Sequence, residues 1–173
     1  MHYTGTIWRP PYEAYSLLVQ VTAGCTHHSC KFCTLYEDLP FKFKLSPFSE
    51  VKADLAEASK YYRKIPRIFF TGANPFVLST EKLKTLAKMV KEYYPFYKTI
   101  GCFARITDIM PKSLEELKEL RALGYDGITI GVETGDDESL TFMNKGFQSK
   151  DVLEQCRKLD EAGISYNFFY GKK

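Results

Sequence analysis

Five apolar runs of strand length, at residues 16–22, 67–71, 98–104, 127–132 and 164–170, alternate with four helical patterns, and this alternation constrains the fold more than any other feature. In the first helical pattern Ser46 and Pro47 read as cap and first-turn residue, and Phe48, Val51, Leu55, Ala58 and Tyr62 recur at helical spacing. The second begins near Thr80 and carries Leu83, Leu86, Ala87 and Val90 on one face. Ser113 and Glu116 form a capping box for the third, whose apolar face is Leu114, Leu117 and Leu120 and which Gly124 stops. The fourth presents Val152, Cys156 and Leu159 and ends at Ala162 and Gly163. Strands joined by helical crossovers pair in parallel, and crossovers of one hand put the helices on one side of the sheet. The expected fold is α/β, a partial TIM-like (βα) barrel over residues 16–173 that follows an irregular lead over residues 1–15. In such folds the chemistry gathers in the loops after the strand C-termini.

Composition narrows the function. A chain of 173 residues with 45% hydrophobic content buries one good core. Its 24 basic and 21 acidic residues nearly balance, which argues against nucleic acid or another large polyanion as partner. Tyr61, Tyr62, Tyr93 and Tyr94 fall at helix ends, where packing explains them better than base stacking. No apolar run approaches the roughly 20 residues of a membrane span. Five cysteines is an odd count and no signal peptide is seen, so the thiols are read as reduced and the compartment as cytoplasmic.

The chemistry-bearing stretch lies directly after the first strand-like run, where Cys25, Cys30 and Cys33 stand within nine residues. Thiolate is the usual ligand of iron-sulfur clusters and of zinc, and both ordinarily ask for four ligands. Three close cysteines without a fourth suggest a centre with one open position. Zinc completed by His27 or His28 is the alternative, although a zinc ribbon normally has a second C-x-x-C pair and this chain has one. His27 and His28 otherwise tune the centre or form the lip of its loop, while Cys102 and Cys156 read as small buried hydrophobes.

The run Cys25-Thr-His-His-Ser-Cys30-Lys-Phe-Cys33, with the aromatic Phe32 before its last cysteine, resembles the signature of the radical SAM superfamily. Its first gap holds four residues, one more than the commonest family spacing, and its second gap of two matches. The resemblance implies a 4Fe-4S cluster on Cys25, Cys30 and Cys33 whose fourth iron is chelated by S-adenosylmethionine. Gly72, Ala73, Asn74 and Pro75 stand where the family carries a Gly-Gly-Glu-Pro-like turn against the amino group of S-adenosylmethionine, which Asn74 would meet with its amide oxygen. Arg105, at the third strand end, is either a clamp for the methionine carboxylate or a loop arginine paired with Asp108. Glu133, at the fourth, is expected to accept from the ribose hydroxyls. The segment after it, from Asp136 to Gly146, also resembles the family, and its acidic start reads equally as a helix cap. The family core has six strand-helix units, so the chain reads as truncated after the fifth strand, with an uncovered apolar face on alternate residues of 164–170 that favours self-association. A separate low-potential flavodoxin or ferredoxin would supply electrons, and the substrate is not named by the sequence. A non-catalytic zinc- or cluster-binding module that needs a partner chain is the alternative reading.

Overall fold

In the computed structural model, which describes residues 1–170, the chain forms β1 (Leu17–Gln20), β2 (Thr22–Gly24), β3 (Phe43–Leu45), α1 (Phe48–Tyr61), β4 (Arg67–Thr71), α2 (Thr80–Tyr93) and β5 (Thr99–Ala104). It continues through α3 (Ile106–Ile109), α4 (Leu114–Ala122), β6 (Ile128–Glu133), α5 (Asp137–Phe142), α6 (Ser149–Ala162) and β7 (Tyr166–Tyr170). Gly171, Lys172 and Lys173, which the sequence reading placed past the last strand, lie outside the described residues.

The main sheet has the order β1-β4-β5-β6-β7, every pairing is parallel, and each step is made by a helical crossover. This is the expected α/β architecture. Strand residues alternate in what they bury, because successive side chains leave opposite faces. Ile68, Phe70, Ile100, Cys102, Ile128 and Ile130 pack into one core with Val51, Leu55, Leu83, Leu86, Leu117, Leu120 and Leu159 of the helices. Full burial contributes about 1.5–3 kcal/mol for each of the larger of these side chains. Helix ends follow local rules: Ser113 accepts from the Glu116 N–H at 3.1 Å while Glu116 accepts from the Ser113 N–H at 2.8 Å. The first helix starts later than expected, since Ser46 makes no cap and Pro47 holds the cap position.

The other face of the sheet receives the N-terminal lead. Thr71 donates to the Trp8 carbonyl at 3.0 Å, Tyr12 and Thr129 share a hydrogen bond at 2.9 Å, and the Tyr3 hydroxyl donates to the Leu18 carbonyl at 3.1 Å. Glu13, 2% exposed, takes Arg67 Nε at 2.9 Å and 3.0 Å. Arg67 also donates to Thr99 Oγ1 at 3.0 Å and to the carbonyls of Asp126 and Gly127 at 3.2 Å, joining the beginnings of three strands. Gly101 makes that reach possible: a Cβ there would sit 2.3 Å from the Arg67 guanidinium.

Two expectations are corrected. The first strand does not run unbroken over 16–22; it leaves the sheet after Gln20, and Thr22–Gly24 pairs antiparallel with Phe43–Leu45 instead. This small ribbon clamps the base of the cysteine loop, with the Cys25 N–H on the Lys42 carbonyl at 2.9 Å. Among the described residues the last strand is an edge, but its apolar face is not bare over 164–168: Ile164 is buried, and Tyr166 and Phe168 pack, partly buried, against the core, while the side chain of Tyr170 lies outside what is described. Among the described residues no helix is long and apolar enough to cross a membrane.

Candidate functional site

At the C-terminal ends of the strands a cleft of about 320 Å³ opens between the cysteine loop, the ends of β4, β5 and β6, and the lead. Cys25, Cys30 and Cys33 are free, half-buried thiols on its wall, beside Phe32. Gly72, Ala73, Arg105 and Glu133 complete the set that sequence placed there. The floor is aromatic: Phe69 meets Phe103 edge-on at 5.1 Å between centroids, and Phe103 meets Phe169 at 6.2 Å. The β6 residue in register with Phe169 is Gly131, which leaves room between the rings of the flanking strands.

Asn74 and Pro75 are the departures. Both are buried and neither lines the cleft. The Asn74 amide oxygen accepts from the Thr26 N–H at 3.3 Å, and its amino group donates to Thr26 Oγ1 at 2.7 Å and to the Asp108 carboxylate at 3.1 Å and 3.2 Å. The turn is nevertheless tight: Gly72 has φ +130°, and a Cβ there would lie 2.0 Å from Thr22 Oγ1.

Arg105 and Asp108 do touch, but through the backbone. The Asp108 carboxylate accepts the Arg105 N–H at 2.8 Å as a cap for α3, which frees the guanidinium to enter the cleft and donate to the Lys145 carbonyl. Burial pushes the Asp108 carboxyl above its ordinary range, against the pull of the bonds from Arg105 and Asn74.

Glu133 is held in a conformation rare for its residue type. A bulge between Gly131 and Glu133 interrupts pairing with β7, and Glu133 takes φ +72°. Such left-handed strain in a non-glycine residue costs about 1–3 kcal/mol and persists where surroundings impose it. Here the partner is Lys145, 5% exposed at the side chain, whose Nζ stands 3.4 Å from Glu133 Oε1. The same ammonium lies 5.5 Å from the Phe32 ring centroid and 5.7 Å from that of Phe147. Burial raises the Cys30 thiol above its ordinary value, and the charges of Lys145 and Arg105 oppose that rise.

Sequence reasoning passed over Lys145, Trp8, Arg9 and Tyr36, all in the cleft wall. Lys145 stood inside a segment quoted for its resemblance, and its place beside Glu133 was the missed signal. Tyr36 is buried in a left-handed conformation at φ +71°. Burial, with Cys25 and Cys33 nearby, pushes its hydroxyl up to about 12. The acidic run after Glu133 is a cap, as the second of its two readings had it: Asp136 accepts from the Ser139 N–H at 2.7 Å.

His27 and His28 serve the loop. The His27 ring donates from Nε2 to the Asn144 carbonyl at 2.6 Å, and His28 has φ +46°. Among the described residues no three His, Cys, Asp or Glu side chains are arranged to hold a single ion. The three thiols share one cleft. That donor set, soft and incomplete, fits a multi-iron cluster with one corner left for another ligand.

A family model described as the Radical SAM superfamily matches residues 19–172. The heme chaperone HemW of Bacillus subtilis is 30% identical over 107 residues, covering 60% of this chain and 28% of that protein. An uncharacterized methyltransferase of Synechocystis, sll1242, is 27% identical over 162 residues, covering 88% of this chain and 28% of that protein. The chain thus spans about a quarter of the length of the curated relatives it matches. Among the solved structures that share the fold are the following two. The radical S-adenosylmethionine methyltransferase TsrM from Kitasatospora setae, with cobalamin and a [4Fe-4S] cluster bound, has TM-score 0.67 and 17% identity, covering 88% of this chain and 30% of that one. Coproporphyrinogen III oxidase (HemN) from Escherichia coli has TM-score 0.60 and 19% identity, covering 90% and 37%.

Proposed function

This chain belongs to the radical SAM superfamily, and from that premise we propose that its cleft binds a 4Fe-4S cluster and S-adenosylmethionine and cleaves the latter reductively. One observation carries the reading: three thiols from one loop and the ends of three parallel strands line the same cleft, with cations and a carboxylate around it. A cluster bound there would supply the low-potential electron for reductive cleavage of the sulfonium, the chemistry that would start hydrogen abstraction from a substrate.

The protein's own part is to bind, orient and exclude water. Cys25, Cys30 and Cys33 would hold three irons of the cluster. Arg105 offers the methionine carboxylate a planar fork, one arm of which already rests on the Lys145 carbonyl. The amino group falls to the backbone carbonyls around Gly72 and Ala73, because the Asn74 amide is spent on Thr26 and Asp108. Glu133 would accept from the ribose diol, and Phe32 lines the cleft beside the thiols. The aromatic floor keeps water from the reacting atoms. A low-potential flavodoxin or ferredoxin completes the scheme as electron donor, in a cytoplasmic setting.

Anaerobic reconstitution followed by iron and sulfide analysis tests this. About four of each per chain are expected, lost in Cys25→Ala, Cys30→Ala and Cys33→Ala and kept in Cys102→Ala. An electron-resonance signal that shifts on adding S-adenosylmethionine completes the expected result. Stoichiometric zinc without brown absorbance would instead favour the metal-stabilised binding module.

A further inference from the structure

The cysteine loop is fastened from outside the cleft at points that fall between its ligands. Thr26, next to Cys25, is held twice by Asn74, through its hydroxyl at 2.7 Å and its N–H at 3.3 Å. His27 donates to the Asn144 carbonyl at 2.6 Å, and Asn144 Nδ2 donates to the Ser29 carbonyl at 2.8 Å. The Lys31 N–H reaches the Met143 carbonyl at 3.1 Å. Every one of these anchors except the last lies in the four residues between Cys25 and Cys30.

The two asparagines are built for this. Asn74 is fully buried, and the same amino group that holds Thr26 rests on the buried Asp108 carboxylate. Asn144 ends α5 with φ +57°, a left-handed value that asparagine tolerates better than most residues. That turn aims its carbonyl and its side chain at the loop together. The next residue, Lys145, continues inward to Glu133, so a single turn grips the loop outside and the strand end inside.

We propose that Asn74 and Asn144 are positioning residues that fix the Cys25–Cys30 gap, so that the three thiols face the cleft before any cluster is bound. The inference rests on the reading of the cleft as a cluster site. An unpinned four-residue gap would sample many backbone states, and each anchor removes some of them. The same placement explains why Asn74 turns away from the cleft it was expected to line.

Amide hydrogen exchange of the metal-free, reduced chain tests the pins directly. Asn144→Gly keeps the left-handed turn and the carbonyl for His27 but deletes the bond to Ser29; Thr26→Val deletes the hydroxyl held by Asn74. Each is expected to speed exchange over residues 25–33 by about tenfold, with the melting temperature and exchange elsewhere unchanged. After reconstitution, both variants are expected to give a broadened, heterogeneous cluster signal. Unchanged exchange over 25–33 in both variants would overturn the proposal, and so would a rise spread over the whole chain with a lower melting temperature. If the loop responds but the wild-type chain takes up no iron and sulfide, the pins stand and the cluster reading fails.

Discussion

Removing the ammonium of Lys145 tests whether the bulged end of β6 is imposed from outside. The pair is well shielded, with side chains 5% and 16% exposed and 3.4 Å between Nζ and Oε1. At an effective dielectric constant of about 20 the Coulomb attraction at that distance is about 5 kcal/mol. Desolvation of the two charges consumes much of it, and deleting one partner of such a pair typically costs about 3–5 kcal/mol. Lys145→Met keeps the apolar contact with Phe32 and Phe147 and removes only the charge, so a loss near the lower end, about 3 kcal/mol, is expected. Glu133→Gln leaves the more deeply buried ammonium uncompensated, 5% exposed against 16% for the carboxylate, and is expected to cost slightly more. Both changes together are expected to fall within about 1 kcal/mol of wild type, so the sum of the two single losses less the double loss gives a coupling of roughly 5–6 kcal/mol. With the charge gone, nothing rewards the left-handed backbone, so adding Glu133→Gly to Lys145→Met is expected to recover about 1 kcal/mol. Urea unfolding of the metal-free proteins, followed by circular dichroism, measures all four. A coupling below about 0.5 kcal/mol would refute the reasoning, since the ammonium would then be doing nothing that holds Glu133 in place.

Two further outcomes follow from the same geometry. Glu133→Ala is expected to weaken S-adenosylmethionine binding by about tenfold to a hundredfold while iron and sulfide content stays whole, because a charged acceptor is lost and no thiol is touched; titration calorimetry that finds unchanged affinity would place the ribose elsewhere. Asp108 has a raised value in the fold, so the neutral form is favoured there; its contribution to stability is fully present below the ordinary aspartate value of 3.8 and is lost as pH rises through the folded value. The stability deficit of Asp108→Asn relative to wild type is therefore expected to shrink as pH rises through that window, and a deficit independent of pH would refute the assignment.

What the sequence by itself determined was whatever depends on periodicity or on neighbours in the chain. The alternation of apolar strands and helices was legible because strands bury alternate residues and helices bury one stripe. The Ser113–Glu116 box was legible because its partners are three residues apart. The three thiols were legible from their spacing, and they share a cleft with the strand-end residues Gly72, Arg105 and Glu133 because a parallel sheet delivers every strand end to one side. The ribbon that clamps the cysteine loop was invisible, since it pairs Thr22–Gly24 with Phe43–Leu45 across a stretch that carries no strand pattern. So was the part played by Asn144, whose contacts with His27 and Ser29 join residues 117 and 115 positions apart. The direction of a side chain such as Asn74 is set by which buried partner reaches it first. Asp108 and Thr26 reach that amide from separations of 34 and 48 residues, contacts that local pattern does not encode and only the closed tertiary structure supplies.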